Sequence, residues 1–104
     1  MQEIAPHELQ ARLMHDTLVI LDVREPWEFE HCRLAGALNI PLQALPTRWS
    51  ELNPRRPLIA VCHHGMRSHY AAEFLRHNGF TEVLNLTGGI DRWAAEIEPA
   101  MPRY

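Results

Sequence analysis

Three apolar runs set the architecture: Leu18-Val19-Ile20-Leu21, Leu58-Ile59-Ala60-Val61 and Val83-Leu84-Asn85-Leu86. Each is too short for a helix. The first two are apolar at every position, which suits a strand covered on both faces. Strands of that kind belong to parallel sheets, and parallel neighbours need crossovers, usually helical. The intervening segments carry helical signals. Pro6 opens a helix at its first position, with Leu9, Leu13 and Met14 expected inward. Pro26 starts a short helix through Trp27 and Phe29 to about His31. Residues 42–52 read as helical with an interruption at Pro46 and a stop at Asn53-Pro54. From about Arg67 to Asn78, Ala71, Phe74 and Leu75 recur at helical spacing, and Gly79 followed by Phe80 fits a Schellman end. Gly88-Gly89 leads into a last helix bearing Ile90, Trp93 and Ala94. Ala37-Leu38-Asn39-Ile40 reads as a brief extended piece, and the tail from Pro99 to Tyr104 as a surface strap. The predicted fold is one α/β domain over residues 1–104. A mostly parallel central sheet carries helices on both faces, and the loops after the strands form the working edge.

Composition removes several classes of chemistry. A chain of 104 residues supports one core. A net charge of −3 provides no field for nucleic acid or an anionic membrane. The apolar runs are far too short to cross a bilayer. The N-terminal segment carries Glu3 and Glu8 and lacks a hydrophobic signal core, which predicts a mature, cytoplasmic protein. All ten positive residues are Arg, so Schiff-base chemistry and a phosphate-loop Lys are excluded. Two cysteines, Cys32 and Cys62, rule out a four-thiolate zinc site and make a disulfide framework unexpected. His63, His64 and His69 beside Cys62 match no metal-ligand spacing, so no metal and no cofactor are predicted.

The chemistry concentrates in Cys62-His63-His64-Gly65-Met66-Arg67-Ser68, which joins a buried strand to a helix. A thiol at a helix N-terminus meets unpaired backbone N–H groups and the positive end of the dipole, both of which favour a thiolate. Gly65 permits a positive φ, so that successive N–H groups can converge on one point. Arg67 adds a cation able to fork two hydrogen bonds to an oxyanion. Ser68 can cap the helix or lend a hydroxyl to a bound anion. The loop reads as an anion cradle with a nucleophilic sulfur at its floor.

With this loop the chain resembles the single-domain rhodanese-like sulfurtransferases, and the resemblance spans almost the whole sequence. Asp22-Val23-Arg24-Glu25-Pro26-Trp27-Glu28-Phe29 is similar to the family's first signature and Gly36-Ala37-Leu38-Asn39-Ile40-Pro41 to its second. Residues 62–68 resemble the active-site loop of small bacterial members, and Gly88-Gly89-Ile90-Asp91-Arg92-Trp93 the closing motif. The resemblance implies a rhodanese-like domain that moves sulfane sulfur from a donor such as thiosulfate, through a Cys62 persulfide, to a thiophilic acceptor. Cyanide serves in vitro and a thiol or protein in vivo. It implies that Arg67 receives the sulfonate end of a small anionic donor, with His63, His64, Gly65, Met66 and Ser68 lining the site. Asp22 and Arg24 support it from behind, Glu28 being a partner for Arg24. Phosphatases of this fold place five residues between Cys and Arg. Here there are four, which makes a narrower cradle and favours sulfur transfer over phosphatase or arsenate reductase chemistry.

Two other readings stand beside this one. A regulatory binding module of the same fold often lacks the cysteine, which is present here. A redox-sensing thiol predicts a Cys32–Cys62 disulfide, which requires Cα atoms within about 7 Å. Cys32 stands where the family commonly has Gly, which leaves the geometry of that turn open. Trp27, Trp49 and Trp93 read as packing residues.

Overall fold

The computed structural model of the chain describes residues 2–104. Its five strands are β1 (Glu3–Ile4), β2 (Val19–Asp22), β3 (Leu38–Asn39), β4 (Leu58–Val61) and β5 (Val83–Leu86). They form one sheet in the order β1-β5-β4-β2-β3, and every pairing is parallel. The helices are α1 (Pro6–Leu13), α2 (Pro26–His31), α3 (Leu45–Arg48), α4 (Met66–His77) and α5 (Gly89–Glu96). Short 3-10 turns at Leu42–Ala44 and Trp49–Glu51 flank α3, so the segment expected to be one helix broken at Pro46 is three pieces. Pro46 sits in the first turn of α3, where its missing N–H costs nothing.

Period-2 alternation along the strands decides which face each residue covers. Leu58, Ala60 and Cys62 point to the core shared with Ala71, Ala72 and Leu75 of α4. Ile59 and Val61 point to the opposite core, with Leu9 of α1 and Ile90 and Trp93 of α5. The catalytic candidate therefore lies on the α4 side of the sheet, as a continuation of β4. Pairing of Asp22 with Val61 places the end of β2 beside that of β4. α4 ends at Asn78: the N–H groups of Gly79 and Phe80 donate to the carbonyls of Arg76 and Leu75, the paired bonds of a Schellman motif.

Two expectations need correction, and two further points are new. Leu13 and Met14 are 37% and 77% exposed, because α1 is only eight residues long and its last turn has no element over it. Trp27 is 62% exposed, whereas Trp93 is buried and Trp49 packs edge-on against Phe80. The N-terminal strand β1 has no counterpart among the apolar runs. It exists because Gln2 and Ile4 carbonyls accept the N–H groups of Asn85 and Thr87 at the open edge of β5. Cys32 is in extended backbone at φ −162°, a conformation any residue adopts, so its turn does not require glycine.

Candidate active site

β4 carries the chain into the loop, and Cys62 is buried at its floor. Gly65 has φ +106°, which directs its N–H back to the Cys62 Sγ at 3.0 Å. The Ser68 hydroxyl lies 3.3 Å from the same sulfur and also hydrogen-bonds Asn85 Oδ1. The N–H groups of Met66, Arg67 and Ser68 open α4, so they have no intrahelical carbonyl to bond. The Gly65 N–H therefore points at the sulfur, while the single Ser68 proton goes to Asn85 Oδ1 and leaves the hydroxyl oxygen facing the thiol.

The far side of the loop explains its shape. The carbonyls of Cys62 and His63 accept the N–H groups of Ile90 at 2.8 Å and Asp91 at 3.1 Å, in the first turn of α5. Those bonds turn the loop's carbonyls away from the sulfur. Gly89 allows the approach, since a Cβ there would overlap the backbone of Cys62 and His63. Asn85 braces the loop from β5: its Nδ2 donates to the Gly65 carbonyl at 3.0 Å and to the Glu3 carboxylate at 3.1 Å. By sequence Asn85 reads only as part of a strand. A polar side chain in an otherwise apolar run is the available signal, because a buried amide must find partners. Beside this brace is an open cleft of about 420 Å³, whose walls include Glu3, His64, Met66 and His69.

At the rim stand two arginine–carboxylate pairs. Arg24 is fully buried and binds Asp22 at 2.7 and 2.9 Å, the Cys32 carbonyl at 2.6 Å and the Tyr104 hydroxyl at 2.8 Å. Burial disfavours its charge, yet the hydrogen bonds to Asp22 and Tyr104 outweigh that and raise its pKa above the ordinary value. Its expected partner, the Glu28 carboxylate, is elsewhere. Glu28 accepts both Arg67 nitrogens, at 2.7 and 2.9 Å, together with the Tyr104 hydroxyl at 2.8 Å and the Glu25 N–H at 2.9 Å. Only the Glu28 backbone carbonyl reaches Arg24, at 3.3 Å. The Arg67 hydrogen bond, against the opposing effect of burial, holds Glu28 down at about 2. Arg67 is raised by the same bond.

Tyr104, expected only as part of a surface strap, completes the rim. Burial, with Glu28 adding and Arg24 opposing, pushes its hydroxyl up to about 12. It therefore stays protonated, donates to Glu28 and accepts from Arg24. Its ring stacks on His63 at 4.0 Å, and His63 stacks on His64 at 4.0 Å. Burial first, and His64 second, lower the pKa of His63, so it is neutral at pH 7. Met66 and His64 are exposed on the outer turn of the loop. Cys32 and Cys62 are both free thiols and belong to cores on opposite faces of the sheet.

Known proteins share this fold. A family model described as a rhodanese-like domain matches residues 5–96. The chain is similar to the uncharacterized protein YqhL of Bacillus subtilis, at 44% identity over 76% of this chain and 63% of that one. It is similar to the thiosulfate sulfurtransferase GlpE of Stutzerimonas stutzeri, at 35% identity over 81% of this chain and 78% of that one. The solved structure of a rhodanese-related protein from Thermoplasma volcanium superposes with a TM-score of 0.87 at 32% identity, covering 95% and 96% of the two chains. Two longer curated relatives are spanned over only 34% and 45% of their length.

Proposed function

The chain belongs to the rhodanese-like domain family, and on the geometry of its loop we propose that it is a sulfurtransferase whose sulfur carrier is Cys62. The observation that carries the reading is the sulfur at the loop floor, with the Gly65 N–H at 3.0 Å and the Ser68 hydroxyl at 3.3 Å. The activity that GlpE is named for, thiosulfate sulfur transfer, supports it. In the first step the Cys62 thiolate attacks the outer sulfur of a sulfane donor such as thiosulfate. The donor's S–S bond breaks and sulfite leaves with the electron pair, so that Cys62 becomes an anionic persulfide. In the second step a thiophile attacks the outer persulfide sulfur and the Cys62 thiolate is the leaving group. Cyanide serves as thiophile in vitro and a small or protein-borne thiol in the cell. Both steps are thiolate exchange at sulfur and need no oxidant.

Charge moves outward by one atom in the first step, from the sulfur that Gly65 and Ser68 contact to the new outer sulfur at the N-terminus of α4. Donors preorganised for that charge stabilise the persulfide without rearranging. Cys62 is buried at the loop floor, a position suited to attack on a single terminal sulfur. Four residues between Cys62 and Arg67 favour sulfur over a phosphoryl group. The reading places the protein in the cytoplasm, where both thiols remain reduced. The test is intact-protein mass after thiosulfate and again after cyanide, with Cys62→Ser alongside. The expected result is a gain of one sulfur atom, lost on cyanide treatment and absent in the variant. A folded wild-type protein that gains no sulfur from thiosulfate or from a persulfide would end the assignment.

A further inference from the structure

The family resemblance aims Arg67 at the donor's anionic end, yet both of its terminal nitrogens are occupied by Glu28. Glu28 is not a loose surface side chain. Its carboxylate is nearly buried, with 5% of the side chain exposed. It is also held by the Glu25 N–H and the Tyr104 hydroxyl. The other cations around the loop are paired likewise. Arg24 is bound to Asp22, and Arg103 to Asp91 at 2.8 Å. Asp91 is the residue whose N–H holds the His63 carbonyl. His63 itself is neutral, its pKa lowered by burial and by His64. Among the described residues, every arginine identified at this rim has its own carboxylate.

We propose that Glu28 is a specificity-determining residue: by claiming both prongs of Arg67 it withholds that cation from the donor. The site is thereby turned away from thiosulfate, a dianion with a sulfonate end, and toward persulfides with an uncharged carrier end. The inference rests on the sulfur-transfer reading and names its donor class. A persulfide asks less of the rim. The Cys62 thiolate attacks the outer sulfur of R–S–SH, the donor's S–S bond breaks, and RS⁻ leaves with the electron pair while Cys62 becomes Cys62–S–SH. Nothing is oxidised or reduced overall, and no group beyond the loop's N–H donors is required. Thiosulfate brings two charges, and a paired guanidinium attracts a second anion far less than a free one.

The experiment measures the rate of single-sulfur loading onto Cys62 by intact mass, with thiosulfate and with 2-mercaptoethanol persulfide as donors. It uses the full chain as wild type, Glu28→Gln and Glu28→Gln/Arg67→Met. Glutamine keeps the shape of Glu28, removes its charge and leaves one oxygen to accept from Arg67. Glu28→Gln is expected to raise the thiosulfate rate about tenfold relative to the persulfide rate, and the double variant to abolish that gain. A folded Glu28→Gln with no shift in the donor ratio overturns the proposal, as does a double variant that keeps the gain. Wild type provides a measurement independent of variant folding. Between about 20 and about 500 mM NaCl its thiosulfate loading rate should fall less than about twofold, whereas a steep fall would reveal an unpaired cation and overturn the proposal. No loading of wild type by either donor removes the sulfur-transfer reading and this proposal together.

Discussion

Arg24 and Arg67 stand at the same edge of the sheet, each in a two-pronged pair with a carboxylate, and they serve different ends. Arg24 is 0% exposed and meets a carboxylate, a backbone carbonyl and a tyrosine hydroxyl. Arg67 leaves 35% of its side chain in solvent and spends both prongs on one carboxylate. A buried guanidinium must satisfy all its donors within the protein, so Arg24 has become part of the fold and ties the end of β2 to α2 and the tail. Arg67 has water on one side and depends on that single carboxylate. The difference teaches where in this site charge is structural and where it is adjustable. Identical chemistry at one edge of the sheet divides by burial.

The largest expected effect separates the two pairs by stability. Arg24→Met leaves Asp22 buried without its cation and strips the Cys32 carbonyl of a donor. Breaking a buried pair in this way costs about 3–5 kcal/mol. Arg67→Met strands a carboxylate that still has the Tyr104 hydroxyl and the Glu25 N–H, and should cost less, about 2–3 kcal/mol. Urea unfolding of both variants checks this. Equal losses would erase the distinction between the two arginines.

Much of the architecture is legible in the sequence because it is encoded locally. Leu58 to Ser68 specifies a strand, a turn with positive φ and a helix start within one short stretch, and the Gly79-Phe80 helix end lies next to the residues it closes. The rim is not legible, since its partners are distant in sequence: Glu28 is 39 residues from Arg67 and 76 from Tyr104. Spacing of four from Arg24 to Glu28 suggests a helical pair, but Arg24 precedes α2 and bends back to Asp22 instead. Strand β1 is two residues long, too short to show a period. Its existence depends on the edge that β5 leaves open.

A second measurement sharpens the comparison through pH. Glu28 is held at about 2 in the fold against an ordinary value of 4.5. A folded value below the unfolded one means that ionised Glu28 stabilises the protein. The contribution is complete above about pH 4.5 and lost as pH falls through 4.5 toward 2. Its size is on the order of 2–3 kcal/mol, allowing for the solvent on Arg67. Unfolding free energies of wild type and Glu28→Gln at pH 6 and pH 2.5 should therefore differ more at the higher pH. Parallel pH dependence in the two proteins would show that the Arg67 pair does not contribute this acid sensitivity.

The smallest effect belongs to the residue that joins both pairs. Tyr104 accepts from Arg24, donates to Glu28 and stacks on His63. Tyr104→Phe keeps the stack and removes the two hydrogen bonds, at an expected cost of about 1–2 kcal/mol. Tyr104→Ala also removes the stack on His63, and should lose a further ~1 kcal/mol. The comparison gains a directional check from this pair of variants. If the hydroxyl matters chiefly to the buried arginine, Tyr104→Phe should lose its effect in an Arg24→Met background and keep it in Glu28→Gln. If it matters chiefly to the rim, the dependence should reverse. Double-mutant cycles in urea distinguish the two, because each removes one partner of a single hydroxyl.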